Sequence, residues 1–366
     1  MSLTFDDAVH ALVDGYDLLD RSLCLRLAEW SLAIRSNNAA LLDRLGRYFS
    51  HVRTTDQAAC DMTVIAIERD PPEPAVDFVD WRREPGKRGR KDSYADLPGG
   101  RLLRKVRTGM VFAQSEHRLV AAGPCLANDN QLINFVNSQL MNRLQHDDWL
   151  ICHAAGLARA GRGLAIAGLS GGGKSTLMLR LMDDAKVSFV SNDRLFVRRD
   201  ADGVRARGIP KLPRINPGTI VANPRLHGLI PGPRRAELSD LPVEELWSLE
   251  EKHDVMIDAV YGSGRIVGET SLDAFVVLNW ARGTAAPTRL EAVDVARRRD
   301  LLPAVMKSPG PFYQYADGRF FSDDTPLDPK PYLAALADVP FYEASGRIDF
   351  DALIAEIGGL EVWRDA

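Results

Sequence analysis

The sequence has few cysteines, no long apolar run and no strong excess of charge of either sign. Apolar stretches such as 274–278 are too short to span a bilayer, and the net charge of −4 calls for neither a nucleic-acid nor a membrane partner. The cysteines lack metal-ligand spacing, which favours reduced thiols in a cytoplasmic protein. They are Cys24, Cys60, Cys125 and Cys152.

Residues 1–16 contain no Lys or Arg, so we expect no secretory signal. The chain of 366 residues is 45% hydrophobic, enough for a sizeable core in two domains or one large one. It has neither internal repeats nor low-complexity tracts. We expect a domain boundary near 128–130, between an N-terminal α+β domain over 1–130 and a second domain over 131–366.

Apolar periodicity predicts the secondary structure. Helices are expected over 17–52, 131–144, 174–182, 293–306 and 349–357. Strands are expected over 62–68, 149–154, 156–160, 163–167, 187–191, 255–260 and 273–279, with a hairpin formed by 106–113 and 119–122. Strand, glycine loop, helix and strand follow one another over 163–191, which predicts a βαβ unit.

A basic segment covers 81–107 and holds ten Lys and Arg residues among glycines and prolines. Such a charge run is typical of a solvated loop. The alternative is a flap or partner-docking loop that attracts anions.

A glycine-rich segment, Gly168 to Ser175, fits the pattern G-x-x-x-x-G-K-[ST]. The apolar run GLAIAG enters this segment and the helical run STLMLRLM leaves it. A phosphate-binding loop (P-loop) needs this position between a strand and a helix. The context therefore argues against a glycine turn without a ligand.

The residue types of the P-loop suit the phosphates of ATP and a magnesium ion. Glycines let backbone N–H groups approach phosphate oxygens, and the following helix adds its positive end. The Lys174 ammonium is expected on the β- and γ-phosphates and the Ser175 hydroxyl on Mg²⁺. The motif distinguishes neither ATP from GTP nor transfer from hydrolysis. The predicted nucleotide-binding residues are Gly168, Ser170, Gly171, Gly172, Gly173, Lys174, Ser175 and Thr176.

The surroundings of the P-loop narrow the choice of family. The tetrapeptide HAAG begins at His153 upstream, and VSNDRL covers 190–195 downstream. This order of histidine strand, P-loop and acidic turn resembles the catalytic domain of HPr kinase/phosphorylase and its relatives, in particular the HPr-kinase-related kinase B branch. The resemblance covers 153–195, and more weakly 250–267. It implies a cytoplasmic α/β kinase whose P-loop catalytic domain, over 131–366, has a mixed sheet with flanking helices, and relatives of this kind are commonly homo-oligomers.

The acidic turn departs from the family pattern of two adjacent aspartates, since Asn192 precedes Asp193. The resemblance assigns Asp193 the catalytic or metal-binding role, in which a carboxylate accepts the acceptor's proton or holds Mg²⁺. It assigns His153 a place beside Asp193 or a phosphate, against the alternative of a core histidine. Whether the family's reverse reaction, phosphorolysis, occurs is left open.

A second family signature carries a glutamate thought to help bind the metal. Glu250 lies close to its place, with Glu251 as the reserve, ahead of the run DVMIDAVYGSG over 254–264. The alternative is a pair of solvated glutamates at a helix end.

The proline-rich run over 205–223 contains Lys211, Arg214 and Asn216. Prolines stiffen a loop, and an Arg with a nearby Lys suits a carboxylate or a second phosphate. We therefore expect these three residues to bind the substrate, against the alternative of a structural connection with exposed bases.

Three hypotheses for the function follow. The favoured one is an ATP- and Mg²⁺-dependent kinase whose acceptor is a small hydroxy acid such as glycerate. In it Lys174, His153 and Asp193 form the catalytic group, while Ser175, Asp193 and Glu250 hold the metal. The second is a protein-serine kinase acting on an HPr-like carrier protein, and the third is a nucleotide-dependent regulator without phosphotransfer.

Overall fold

The computed structural model describes residues 3–55, 60–83, 89–169 and 172–364, which divide into two compact units. The first comprises Met1–Asp147 and Pro309–Pro326, and the second Asp148–Ser308 and Leu327–Ala366. Both combine sheets with helices, which confirms the mixed α/β class predicted from the sequence.

This division differs from the boundary expected near 130. The helix Asp129–His146 belongs to the first unit, where the Phe135 ring packs 4.9 Å from the Phe112 ring and 5.0 Å from the Phe312 ring. Its aromatic packing therefore keeps this helix with the residues that precede it.

The first unit is built on a nine-stranded sheet among the described residues, with strand order β3-β1-β2-β4-β9-β8-β7-β6-β5. Its strand pairs are antiparallel except β2–β4 and β4–β9. Its elements are α1 Phe5–Val13, β1 Ser22–Leu27, β2 Trp30–Ser36, α2 Ala39–Tyr48, β3 Arg53–Thr54, β4 Met62–Glu68, β5 Val79–Asp80, β6 Asp92–Leu97, β7 Gly100–Lys105, β8 Val111–Gln114, β9 Leu119–Gly123 and α3 Asp129–His146.

Two predictions for the first unit need correction. The helix expected over 17–52 is a hairpin of β1 and β2 followed by α2, and Ala28 takes a positive φ of 57° at the turn. Much of the basic segment is also not a loop, because β6 and β7 form a hairpin within it. Its residues Lys87 and Arg88 lie outside the described residues.

Arg101, on β7, joins the segment 309–326 to this sheet. Its Nη1 donates to the carbonyls of Pro311 and Phe321, each at 3.0 Å. The guanidinium also pairs with Asp96 at 2.6 Å and lies 4.6 Å from the centre of the Phe320 ring. Only 3% of the Arg101 surface is exposed, so this basic residue is a structural anchor.

The second unit contains the P-loop motif. Its elements are β10 Leu150–Cys152, β11 Ala154–Arg159, β12 Arg162–Gly168, α4 Lys174–Leu181, β13 Val187–Ser191, β14 Leu195–Asp200, β15 Gly203–Arg207, β16 Arg214–Ile215, α5 Pro217–Val221, α6 Gly232–Ser239, α7 Val243–Ser248, β17 His253–Asp254, α8 Ile257–Tyr261, β18 Glu269–Ser271, β19 Ala274–Leu278, β20 Arg289–Val293, α9 Leu302–Val305, α10 Pro329–Ala335, β21 Phe341–Ser345 and α11 Phe350–Gly358.

The largest sheet of this unit has the strand order β13-β11-β12-β19-β21-β20. A smaller sheet, β10-β14-β15-β18, packs in the same hydrophobic core, where Val197 and Phe275 are fully buried. The strand β12, the helix α4 and the strand β13 form the predicted βαβ unit, with β11 inserted antiparallel between the two strands.

Two predictions for the second unit are also wrong. The strand expected over 255–260 is the short helix α8, whose Tyr261 hydroxyl donates to the Leu179 carbonyl at 2.9 Å. The helix expected over 293–306 is helical only in its second half, because β20 extends to Val293 and a 3-10 helix at Arg299–Leu301 leads into α9.

No helix in the described part of the chain is long and apolar enough to cross a bilayer.

Candidate active site

The topology of the six-stranded sheet gathers several polar segments at one edge. Strands β12 and β19 are parallel, and β12 and β13 both run antiparallel to β11. The carboxyl ends of β12, β13 and β19 therefore meet at the edge where β11 begins. Four polar segments adjoin these strand ends. The P-loop follows β12, the acidic turn 192–194 follows β13, and residues 279–280 follow β19, while His153 immediately precedes β11.

The P-loop leaves β12 at Gly168 and enters α4 at Lys174. The Gly172 amide donates to the Leu169 carbonyl at 2.9 Å, and Gly173 caps the helix with a φ of 88°. Only glycine adopts such a left-handed backbone readily. Ser170 and Gly171, which the sequence predicts to bind phosphate, lie outside the described residues.

Two aromatic residues that the sequence did not single out support this loop. The Trp280 indole donates to the Gly172 carbonyl at 2.9 Å and packs edge to face on Phe350, with ring centres 5.0 Å apart. A Cβ at Gly173 would lie 2.9 Å from the Phe350 ring. Trp280 and Phe350 therefore pack closely against the backbone of Gly172 and Gly173, and we call this pair the aromatic support of the loop.

Lys174 is buried at the start of α4, and its ammonium donates to the Gly168 carbonyl at 2.8 Å. Burial lowers the pKa of Lys174 to about 8, with Asp193 opposing the shift and Lys307 adding to it. Because burial disfavours the charged form of Lys174, an anion that binds in the loop would stabilise its ammonium.

The hydroxyls that follow Lys174 have partners on other elements. Ser175 donates to the side-chain carbonyl of Asn192 at 2.8 Å, and the Thr176 hydroxyl lies 2.8 Å from that of Thr219. Asn192, where the resembling family has its first aspartate, is therefore in direct contact with the predicted metal ligand Ser175.

Each carboxylate oxygen of Asp193 lies against a side-chain nitrogen. His153 Nε2 lies 3.0 Å from Oδ1, and Lys307 Nζ lies 3.3 Å from Oδ2. Desolvation opposes the charge of Asp193, but Lys307 and the hydrogen bond from His153 outweigh it and lower the pKa of Asp193 well below its usual value. The carboxylate is thus held ionised and oriented.

Lys307 was missed by sequence reasoning. It follows α9, and the backbone pairs there with the His153 strand: the His153 amide donates to the Val305 carbonyl at 2.7 Å, and Met306 forms a β-bridge with Cys152. The sequence placed this region at the end of a predicted helix and gave no signal for Lys307.

Lys211 belongs to the same electrostatic group. Burial lowers the pKa of Lys211 well below its usual value, and repulsion from Arg194 and Lys307 adds to this, while Asp193 opposes it. The Arg194 Nη1 atom is buried without a hydrogen-bond partner. Cations thus outnumber the one carboxylate, so an anion is needed to balance them.

The other predicted substrate residues differ from Lys211. Arg214 forms an ion pair with Asp254 at 3.0 Å, so part of its charge is already balanced. Asn216 precedes α5, and its side-chain carbonyl oxygen is buried without a hydrogen-bond partner.

Glu250 is exposed in the connection between α7 and β17. Its reserve, Glu251, pairs with Arg234 and His253, each at 3.1 Å. No hydrogen bond or ion pair among the described residues joins either glutamate to Ser175, Asn192 or Asp193. The structure therefore gives no support to a metal-binding role for Glu250.

The remaining oxygen donors fit a magnesium ion. The Ser175 hydroxyl, the Asn192 amide oxygen and the Asp193 carboxylate are the hard ligands that Mg²⁺ prefers, with phosphate oxygens completing its shell. Groups of three or more His, Cys, Asp or Glu side chains able to hold a metal are absent from the described residues.

No protein-family model and no curated protein matches the chain. Among solved structures, the Hpr(Ser) kinase/phosphatase from Coxiella burnetii is similar, with a TM-score of 0.29 and 11% sequence identity. The match covers 57% of this chain and 87% of that one.

Proposed function

We propose that the protein is an ATP- and Mg²⁺-dependent kinase that transfers the γ-phosphate to a hydroxyl group. The observation that carries the proposal is the convergence of a P-loop lysine, Lys174, with an ionised Asp193 that His153 and Lys307 bind from two sides. A kinase needs such a pairing of phosphate-binding cation and carboxylate base.

On the donor side, the P-loop binds the phosphates of ATP. The backbone amides at the start of α4 point toward the phosphate oxygens, and Lys174 moves its ammonium from the Gly168 carbonyl to the γ-phosphate. Ser175, Asn192 and Asp193 would hold Mg²⁺, which when bound neutralises charge on the phosphates. The aromatic support of Trp280 and Phe350 keeps the loop in place.

On the acceptor side, Asp193 orients the hydroxyl and accepts its proton. The low pKa keeps the carboxylate ionised at neutral pH, and the bond from His153 fixes its orientation. His153 is therefore a positioning residue, since it acts through Asp193.

The excess of cations favours an acceptor that carries an anionic group. Lys211 and Arg194 both interact with the charge of Asp193, and among the described residues neither forms an ion pair with another carboxylate, so an anion that binds between them would stabilise both. A small hydroxy acid such as glycerate presents a carboxylate next to its hydroxyl and fits this requirement. Arg214 and Asn216 are secondary contacts in this proposal.

ADP release from ATP and Mg²⁺ tests the proposal, with a panel of small hydroxy acids, glycerol as the uncharged match for glycerate, and an HPr-like protein. We expect a hydroxy acid to stimulate release far more than glycerol. Lys174→Ala and Asp193→Asn should each lower turnover by about 10²-fold or more. The exposed changes Lys330→Ala and Asp202→Asn are the matched controls.

The other outcomes are equally informative. Stimulation by the protein alone would replace the small acceptor with protein-serine phosphorylation. ATP binding without transfer to any acceptor would leave a nucleotide-dependent regulator. Near-normal turnover in Asp193→Asn would remove this residue from the centre of the mechanism.

A further inference from the structure

We propose that Lys307 is a catalytic residue of this site, whose ammonium binds the transferring phosphoryl group from the acceptor side, opposite Lys174. The inference rests on the proposed kinase function and extends it to a residue outside the P-loop and the acidic turn.

The contact with Asp193 sets the position of the ammonium. Lys307 Nζ is 3.3 Å from Asp193 Oδ2. An acceptor hydroxyl that gives its proton to Asp193 must lie about 3 Å from the same carboxylate. The phosphorus that this hydroxyl attacks is then one near-attack distance further, about 3–3.5 Å. An ammonium beside Oδ2 can therefore reach the equatorial phosphoryl oxygens.

The backbone, rather than the ion pair, fixes Lys307. The bond from the His153 amide to the Val305 carbonyl and the bridge between Met306 and Cys152 hold the two residues before it. The Lys307 side chain is 18% exposed. Its ammonium can thus turn from Asp193 to a phosphoryl oxygen without movement of the backbone.

The neighbouring charges argue against a simple counter-ion for Asp193. Lys307 repels the ammonium groups of both Lys174 and Lys211, and His153 already binds the other oxygen of the carboxylate. One carboxylate does not balance three partly buried lysines. A phosphoryl group between Lys174 and Lys307 would supply the negative charge that these lysines lack.

The transfer step balances without any further reactant. The acceptor oxygen forms a bond to the γ-phosphorus, and the bond to the bridging oxygen breaks with its electron pair going to ADP. The acceptor's proton moves to Asp193. Lys307 takes no part in the proton transfer and contributes positive charge where charge develops on the phosphoryl oxygens.

Kinetics and the trapping of a transition-state mimic test the inference together. The variants are Lys307→Met and Lys307→Gln, which remove the charge, Lys307→Arg, which keeps it, and the exposed Lys330→Met as control. We expect the neutral variants to lower kcat by about 10²-fold with at most about a threefold change in the KM for ATP, and Lys307→Arg to recover part of the loss. ADP affinity with Mg²⁺ is then measured with and without aluminium fluoride, which mimics the transferring phosphoryl group.

In the wild type and Lys330→Met, aluminium fluoride should tighten ADP binding, and in the neutral variants this gain should be lost while binding of ADP alone persists. A preserved gain and near-normal kcat in Lys307→Gln would overturn the inference and leave the kinase proposal intact. If Lys307→Met does not fold, Lys307→Gln decides, because its amide can still hydrogen-bond to Asp193. If the wild type neither binds ADP nor forms ADP from ATP, both the kinase proposal and this inference are wrong.

Discussion

At the residue scale, the site combines buried cations with a single carboxylate. Burial lowers the pKa of both Lys174 and Lys211, the charge of Lys307 adds to both shifts, and the charge of Asp193 opposes them. If phosphates bind here as proposed, their negative charge would offset the repulsion among these lysines.

Nucleotide affinity should fall above about pH 8. Burial lowers the pKa of Lys174 to about 8, so the free protein loses this proton as the pH rises through that value. Phosphates favour the ammonium, so binding above pH 8 requires uptake of a proton, and affinity should decline by up to about tenfold per pH unit. Calorimetric titration of ATP and Mg²⁺ between pH 7 and 9.5, in buffers of different ionisation heats, measures the affinity and the number of protons taken up on binding. Lys174→Met should bind weakly without the proton uptake, and a flat wild-type profile would contradict the assignment.

The sequence predicted part of this site at the residue scale. The P-loop pattern is local, and the strand and the helix on either side of it confine its position, so the sequence alone was enough to predict roles for Lys174 and Ser175. Lys307 was missed, because its place depends on pairing between Met306 and Cys152, which are far apart in the chain. Glu250 is exposed, and no hydrogen bond or ion pair among the described residues joins it to Ser175 or Asp193, so its role as a metal ligand stays a prediction.

At the scale of elements, strongly periodic or continuous segments were predicted well. The strand β4 and the helix α3 have the expected type and nearly the expected ends. The hairpin of β1 and β2 was mistaken for a helix, because short apolar strands joined by a tight turn also place apolar residues at helical spacing. The helix expected over 293–306 was placed too early in the chain, because β20 extends to Val293 through a pairing with β21 that local sequence does not reveal.

The junction between β12 and α4 should tolerate no side chain at Gly173. Gly173→Ala would place a Cβ 2.9 Å from the Phe350 ring on a backbone with a φ of 88°. The backbone conformation alone costs about 1–2 kcal/mol, and the contact adds to it. Gly161→Ala is the matched control, because its φ is 80° and nothing lies within 4 Å of the new Cβ.

Urea unfolding of the two variants separates these contributions. We expect Gly173→Ala to lose more stability than Gly161→Ala, and Phe350→Leu to restore part of the difference. Equal losses would mean that Phe350 does not constrain the loop.

At the scale of the whole molecule, the first unit draws on two separate parts of the chain. The segment 309–326 packs with residues 1–147, and Arg101 bonds to carbonyls near both of its ends. Composition placed Arg101 in a basic, solvated loop, yet it is among the most buried charged residues described. Long-range burial of this kind is decided by tertiary packing, which a count of charges does not contain.

Loss of the Arg101 guanidinium should release the segment 309–326. Arg101→Met leaves the carbonyls of Pro311 and Phe321 without their donor, at a cost of about 2–4 kcal/mol. Hydrogen exchange should therefore accelerate within 309–326 more than in β12 or β19. Arg118→Met, at an arginine that is exposed and pairs with Asp6, is the control. Slow exchange in the segment of Arg101→Met would show that other contacts anchor it.

The path of the chain between the two units also orders events during synthesis. The chain passes from one unit to the other after residues 147, 308 and 326. On the ribosome, the nine-stranded sheet emerges first, but its last segment appears only after most of the second unit has been made. The carbonyls that Arg101 binds are therefore synthesised more than two hundred residues after it. Each unit therefore depends on a segment that is made after part of the other unit, and no single cut in the gene yields either unit whole.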